Sequence, residues 1–213
     1  MRDFRINSYG DTPNLICRKF YSRKVYDMSS YHWFYRFRSV LVSPPLVFAF
    51  FYFSHEAKEW VWPVGISVFL IGFMLRLWAQ QHLHYRLRVR KHLTITGPYK
   101  FVRNPVYIGN ILIGLGATLV SKLVWMVPVT LLWYVIIYGF VIRYEESHLL
   151  EKYGEAYRAY MSEVPRWVPR FPGSAKMELL NRFFYASMLK EGHCFLILFP
   201  YIIKELFSHR LGL

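Results

Sequence analysis

Residues 105–142 read PVYIGNILIGLGATLV, then SKL, then VWMVPVTLLWYVIIYGFVI. Two apolar runs, Pro105–Val120 and Val124–Ile142, are thus separated by Ser121, Lys122 and Leu123 alone. A helix needs roughly 17–25 apolar residues to cross a bilayer, so a three-residue link can only turn the chain around. The two runs therefore form an antiparallel hairpin. Working outward, Val61–Ala79 is a further span, interrupted only by Arg76 near its end. Ser39–Phe53 is a shorter candidate and contains Pro44 and Pro45. Phe195–Phe207 holds Pro200, Lys204 and Glu205 and reads as an interfacial or partly inserted helix. The expected fold class is an all-α integral membrane protein, a multi-span helical bundle of about four spans plus that C-terminal helix.

Composition agrees with this class. The 213 residues are 54% hydrophobic and 20% aromatic, yet they carry 27 Lys and Arg against 13 Asp and Glu, a formal charge of +14. A disordered basic tail would be poor in apolar residues. A soluble nucleic-acid binder would not place 18 Phe, 17 Tyr and 7 Trp beside long uncharged runs, so no nucleic-acid partner is expected. The opening MRDFRINSYGD lacks the apolar region of a secretory signal. Cys17 and Cys194 stand alone in sequence, so neither a disulfide framework nor a metal ligand set is expected.

Charge also orients the bundle. Residues 1–38 hold eight Lys and Arg, and residues 81–104 hold six (Arg86, Arg88, Arg90, Lys91, Lys100, Arg103) with no acid. The opposite connections, residues 54–60 and 121–123, hold one Lys each. The positive-inside rule then places both termini and the 81–104 loop in the cytoplasm. Three regions result: a basic segment over 1–38, a membrane core over 39–172, and a tail over 173–213 that begins at the linker Gly173-Ser174-Ala175.

Candidate chemistry lies at the cytoplasmic ends of the last two spans. The first stretch is Lys91-His92-Leu93-Thr94-Ile95-Thr96-Gly97-Pro98-Tyr99, followed by Arg103-Asn104-Pro105-Val106-Tyr107. Asn104 is a natural helix N-cap and Pro105 suits the first helical turn. A helix N-terminus presents free N–H groups and partial positive charge, which favours an anionic ligand. The same residues also serve simply to start a membrane helix, with Arg103 reaching for lipid phosphate. The second stretch is Arg143-Tyr144-Glu145-Glu146-Ser147-His148. Adjacent carboxylates at the end of a membrane helix are costly unless paired or facing a wet cavity. A solvated helix leaving the membrane is the alternative. Tyr153, Tyr157 and Tyr160 share one helical face, a spacing typical of packing.

Taken together, G-P-Y-x-x-x-R-N-P-x-Y-x-G, the hairpin, R-x-E-E-x-x-L-x-x-x-Y-G-x-x-Y-x-x-Y and V-P-R-x-x-P resemble the isoprenylcysteine carboxyl methyltransferase family, itself similar to the phospholipid N-methyltransferases. The likeness runs from Gly72 to Arg170. It implies a membrane enzyme that uses S-adenosylmethionine, bound at cytoplasmic helix ends, and methylates a lipid or isoprenoid-like substrate. It further implies cofactor contacts from Lys91, His92, Leu93, Thr94, Tyr99, Asn104, Pro105, Tyr107 and Glu145. Asn104 stands where the prenylcysteine branch has His. Arg143 is near the position of a substrate-touching Arg in that branch. If the acceptor is an amine, Glu146 or His148 is the candidate base, whereas a carboxylate acceptor needs none. Glu145 and His148 share a helical face and Glu146 is turned from it by about 100°. A sterol-type membrane reductase or a non-enzymatic scaffold are the competing readings, and Arg76 fits any of them as a residue snorkelling to the surface.

Overall fold

The computed structural model describes residues 29–52, 60–85, 92–170 and 179–211. Cys17, Lys91, the three arginines at 86, 88 and 90, and the Gly173 linker lie outside them. Regular structure among the described residues is helical: α1 (Ser29–Arg36), α2 (Arg38–Leu41), α3 (Pro44–Phe51), α4 (Val61–Tyr85), α5 (Pro105–Val120), α6 (Met126–Tyr153), α7 (Glu155–Glu163), α8 (Phe184–Glu191) and α9 (Phe199–Leu211). This is the helical bundle expected of an integral membrane protein. Three segments are long and apolar enough to cross a membrane, Val61–Leu83, Met126–Tyr153 and Phe184–Lys204, and α5 is a shorter apolar helix beside them.

The hairpin is formed by α5 and α6, turning at Lys122 with a positive φ of 62°. Helix α6 has 28 residues, so at 1.5 Å per residue it spans ~40 Å, longer than the ~30 Å hydrocarbon layer. Its final turns, which carry Arg143–His148, therefore project towards the interface.

Close packing of α4 on α5 fixes the rest. A Cβ at Gly72 would lie 2.8 Å from the Gly109 carbonyl, and one at Gly116 would lie 2.5 Å from the Phe69 amide. Small residues let the two backbones touch, the usual source of helix association where lipid already satisfies apolar side chains. A core of Phe69, Phe73, Leu77, Ile113, Ala117 and Leu198 is buried along this seam.

Two expectations about the spans change. Residues 39–53 do not form one helix: Pro44 and Pro45 start α3 afresh after α2 ends at Leu41. Proline has no N–H to continue the earlier ladder. At the other end, the apolar segment begins at Phe184 rather than Phe195 and is part of the core. Glu191 is buried inside the bundle, where Arg76 Nε donates to its carboxylate at 2.5 Å. Arg76 also donates to the Asn110 side chain. It is an interhelical tie of α4 to α5 and α8, not a snorkelling arginine. Gln81 secures the tail further, donating to the Leu179 carbonyl at 2.5 Å and accepting from the Asn181 amide at 3.1 Å.

Candidate active site

A cavity of about 560 Å³ opens where α1, α4, α5 and α6 end together. Its wall includes Tyr35, Arg38, Arg76, Tyr99, Arg103, Asn104, Pro105, Tyr107, Glu145 and His148. Volumes of roughly 300–1,000 Å³ are those of pockets for drug-sized ligands.

Each wall is set by local chemistry. Gly97 has φ of +60°, and a Cβ there would lie 2.5 Å from the His82 ring, so only glycine lets the chain turn so close to α4. The single 3₁₀ turn Gly97–Lys100 follows and buries Tyr99. The Tyr160 hydroxyl of α7 donates to the Tyr99 carbonyl at 2.8 Å. Burial pushes the hydroxyls of Tyr99, Tyr157 and Tyr160 above the ordinary phenol range. All three are neutral phenols at physiological pH. Tyr157 and Tyr160 pack with Val164 and Leu93 in a small core of their own; Tyr153 does not share their helix, because Gly154, at φ +53°, ends α6 and α7 starts afresh at Glu155.

The two adjacent glutamates have different surroundings. Glu145 lines the cavity together with Tyr107. Glu146 is buried on another side of α6 and is absent from the cavity wall. It receives Arg166 through both Nε, at 3.2 Å, and NH2, and Arg103 lies 3.4 Å away. Backbone bonds continue this clamp: the Arg103 amide donates to the Pro165 carbonyl, and the Arg170 amide to the Phe101 carbonyl, each at 2.9 Å. Glu146 thus ties the turn before α5 to the Val164–Arg170 segment. A buried carboxylate holding two guanidiniums is not free to accept a proton from a ligand.

The cavity brings together five of the nine residues named for the cofactor: Tyr99, Asn104, Pro105, Tyr107 and Glu145. His92 is exposed, Thr94 is half-buried, and Leu93 packs against the tyrosine cluster; none of the three forms part of the wall. Of the three residues named for catalysis, His148 lies on the wall and its side chain is 72% exposed, 3.8 Å from Glu151. Arg143 is exposed and faces away. Sequence reasoning missed Tyr35, Arg38 and Asn110. The first two come from the basic N-terminal region and enter through aromatic packing of α1 on α6, with Tyr35 and Tyr144 rings 5.1 Å apart.

Two polar atoms at this wall are buried without a partner, Arg103 Nε and Asn104 Nδ2. Both are donors, next to each other in sequence, at the start of α5. Buried donors left unpaired are costly, and a ligand with an acceptor group there would relieve that cost.

Residues 60–156 match the phospholipid methyltransferase family model. This segment is phospholipid-methyltransferase-like. The match shows the resemblance that the motifs carry, and it covers α4, α5, α6 and the turn before α5, the elements that build most of the cavity. Among curated proteins, the cobalt-zinc-cadmium resistance protein CzcN of Cupriavidus metallidurans is 29% identical over 130 residues, 58% of this chain and 59% of that protein. The nickel-cobalt-cadmium resistance protein NccN of Alcaligenes xylosoxydans xylosoxydans is 28% identical over 137 residues, 62% of each. The protein-S-isoprenylcysteine O-methyltransferase of Schizosaccharomyces pombe is 32% identical over 95 residues, 43% of this chain and 39% of that enzyme. The chain therefore spans less than two thirds of the length of these curated relatives. No solved structure matches it significantly.

Proposed function

We propose that this protein transfers the methyl group of S-adenosylmethionine to a lipid or prenylated acceptor at the membrane. The observation that carries the reading is the chemistry of the cavity wall, set within the methyltransferase-like segment. Two neutral tyrosines and one carboxylate line one space, and two of the residues on its wall, Arg103 and Asn104, each carry a buried donor with no partner. That donor set fits S-adenosylmethionine, which has a sulfonium cation, an ammonium and a carboxylate. The faces of Tyr99 and Tyr107 attract a cation through their ring quadrupoles. Glu145 accepts charge-assisted hydrogen bonds from an ammonium. Asn104 Nδ2 and Arg103 Nε donate to a carboxylate, reinforced by the partial positive charge at the start of α5.

When bound, S-adenosylmethionine supplies an electrophilic methyl carbon on sulfur. The protein's own contribution is alignment and exclusion of water. A carboxylate acceptor is already ionised at neutral pH and asks for no base. An amine acceptor must first lose a proton, and His148, at the mouth on the same face as Glu145, is the residue placed to take it. We favour O-methylation of a prenylated or lipid carboxylate, in line with the motif likeness to the prenylcysteine enzymes; N-methylation of a phospholipid amine is the second reading. The charge distribution supports a site opening to the cytoplasm.

Isothermal titration of S-adenosylmethionine into the detergent-solubilised protein tests the reading. Binding that is lost in Glu145→Gln and in Asn104→Ala is expected. Binding of a nicotinamide nucleotide in its place would favour the reductase reading and overturn this one.

A further inference from the structure

Behind the cofactor-sized cavity lies a second one, of about 500 Å³, deeper in the bundle. Its wall includes Val42, Leu46, Ile113, Tyr134 and Tyr138. The two cavities share three wall residues, Arg38, Arg76 and Asn110. Those residues are the junction between a space at the helix ends and one among the helices, whose wall also carries Ser39, Ser43 and His193.

The two arginines at the junction differ in one respect. The guanidinium of Arg76 is compensated by Glu191 and held by Asn110. That of Arg38 has no carboxylate within ion-pairing distance among the described residues. It donates to the Tyr35 carbonyl at 2.9 Å and lies 4.4 Å over the Tyr35 ring. The depth of Arg38 follows from how the N-terminal helices run along α6. Tyr35 packs on Tyr144, and the Trp133 indole donates to the Leu41 carbonyl at 2.7 Å. Arg38 is therefore level with the stretch of α6 between those two contacts, on the bilayer side of Glu145. The Glu145 carboxylate acts on Arg38 only from beyond ion-pairing distance, so the half-buried guanidinium at that depth still faces both cavities with donors open to a ligand anion.

We infer that Arg38 holds an anionic group of the acceptor, a phosphate or a carboxylate, at the junction of the two cavities while the acceptor's hydrocarbon chain lies in the second. The inference rests on the methyl-transfer reading of the first cavity and names its substrate class, a single-chain or splayed lipid with an acidic group near its polar end. Arg38 lies outside the methyltransferase-like segment, so this selectivity belongs to this chain's own N-terminal helices. A planar guanidinium pairs with either anion through two parallel N–H donors. Arg38 is a positioning residue: it fixes which end of the lipid reaches the first cavity.

The test uses the full chain in an uncharged maltoside detergent and three probes with the same chain: oleyl phosphate, oleate and oleyl alcohol. Binding is read by competition with a fluorescent fatty acid, and S-adenosylmethionine affinity is measured in parallel. The wild type is expected to bind at least one anionic probe about tenfold or more tightly than the alcohol, a ratio worth about 1.4 kcal/mol. Arg38→Gln is expected to reduce that ratio to about threefold or less. Arg38→Lys is expected to keep most of the preference. Arg36→Gln, which removes an exposed charge on the neighbouring turn, is expected to keep all of it, separating Arg38 from general attraction by the +14 chain. Phosphate over carboxylate, or the reverse, identifies the acidic group. An anion preference that survives Arg38→Gln, or no preference in the wild type, overturns the inference. Loss of S-adenosylmethionine binding with the preference intact would instead count against the methyl-transfer reading alone.

Discussion

The neighbouring carboxylates of α6 separate binding from stability, and substituting each in turn should reveal it. Glu146→Gln keeps shape and volume but leaves the guanidiniums of Arg103 and Arg166 without their shared counter-charge. Removing one partner of a fully buried ion pair costs about 3–5 kcal/mol, and partial exposure of the partners brings the loss to about 1 kcal/mol per contact. Arg103 and Glu146 side chains are only 12% and 7% exposed; Arg166 is 36% exposed, and its share is screened. A total of about 2 kcal/mol is expected. For a chain of this length that corresponds to a fall in Tm of about 4–8 °C. Glu145→Gln removes an acceptor from the cavity wall and no buried ion pair, so Tm should hold within about 2 °C while S-adenosylmethionine affinity falls about tenfold or more, as the loss of a charge-assisted bond implies. Scanning fluorimetry in detergent, paired with titration calorimetry, reads both quantities. The reasoning is refuted if Glu146→Gln melts like the wild type while turnover disappears, since Glu146 would then be acting on the reacting groups.

Three further outcomes follow from the same geometry. Gly97→Ala should lower Tm, with about 1–3 kcal/mol lost to backbone strain alone, and should weaken cofactor binding through Tyr99, because the new Cβ displaces the His82 ring; a variant with wild-type melting and affinity would contradict the turn assignment. Stability should decline above about pH 10, where the unfolded phenols ionise but Tyr99, Tyr157 and Tyr160 resist in the fold; the native state then binds more protons, so stability falls as pH rises. Chemical unfolding between pH 8 and 12 should show a shallower decline for Tyr160→Phe than for the wild type, and a wild-type curve flat across that range would be inconsistent with these burial effects. His148→Ala should slow turnover at neutral pH and recover part of it at high pH if the acceptor is an amine, whereas a small, pH-independent loss would identify a carboxylate acceptor; a pH–rate profile distinguishes the two.

The apolar runs of the sequence were enough to place α4, α5 and α6 and the hairpin between them, because a membrane helix must satisfy its backbone internally and advertises itself by length and hydropathy. The helical period likewise placed Glu145 and His148 on one face and Glu146 on another. Local sequence was blind to what depends on a distant partner. No local pattern placed Glu191 in the core, and only the Arg76 guanidinium, 115 residues away, makes that position compatible with the bundle interior. Glu146 looked like a free base until Arg103 and Arg166 closed on it from two other segments. Arg38 was indistinguishable from seven other basic residues of the first 38; its depth is set by aromatic contacts with α6 that no local pattern encodes. The double proline at 44–45 was visible, and its consequence, two short helices instead of one span, follows from the missing N–H groups.

The most direct test of the central claim is incubation of the solubilised protein with methyl-labelled S-adenosylmethionine and a total lipid extract, followed by separation of the lipids. Label should appear in a lipid fraction, and it should be absent with Glu145→Gln and with Asn104→Ala proteins whose Tm is unchanged. A folded wild-type protein that binds no S-adenosylmethionine and transfers no label to any lipid would contradict the account.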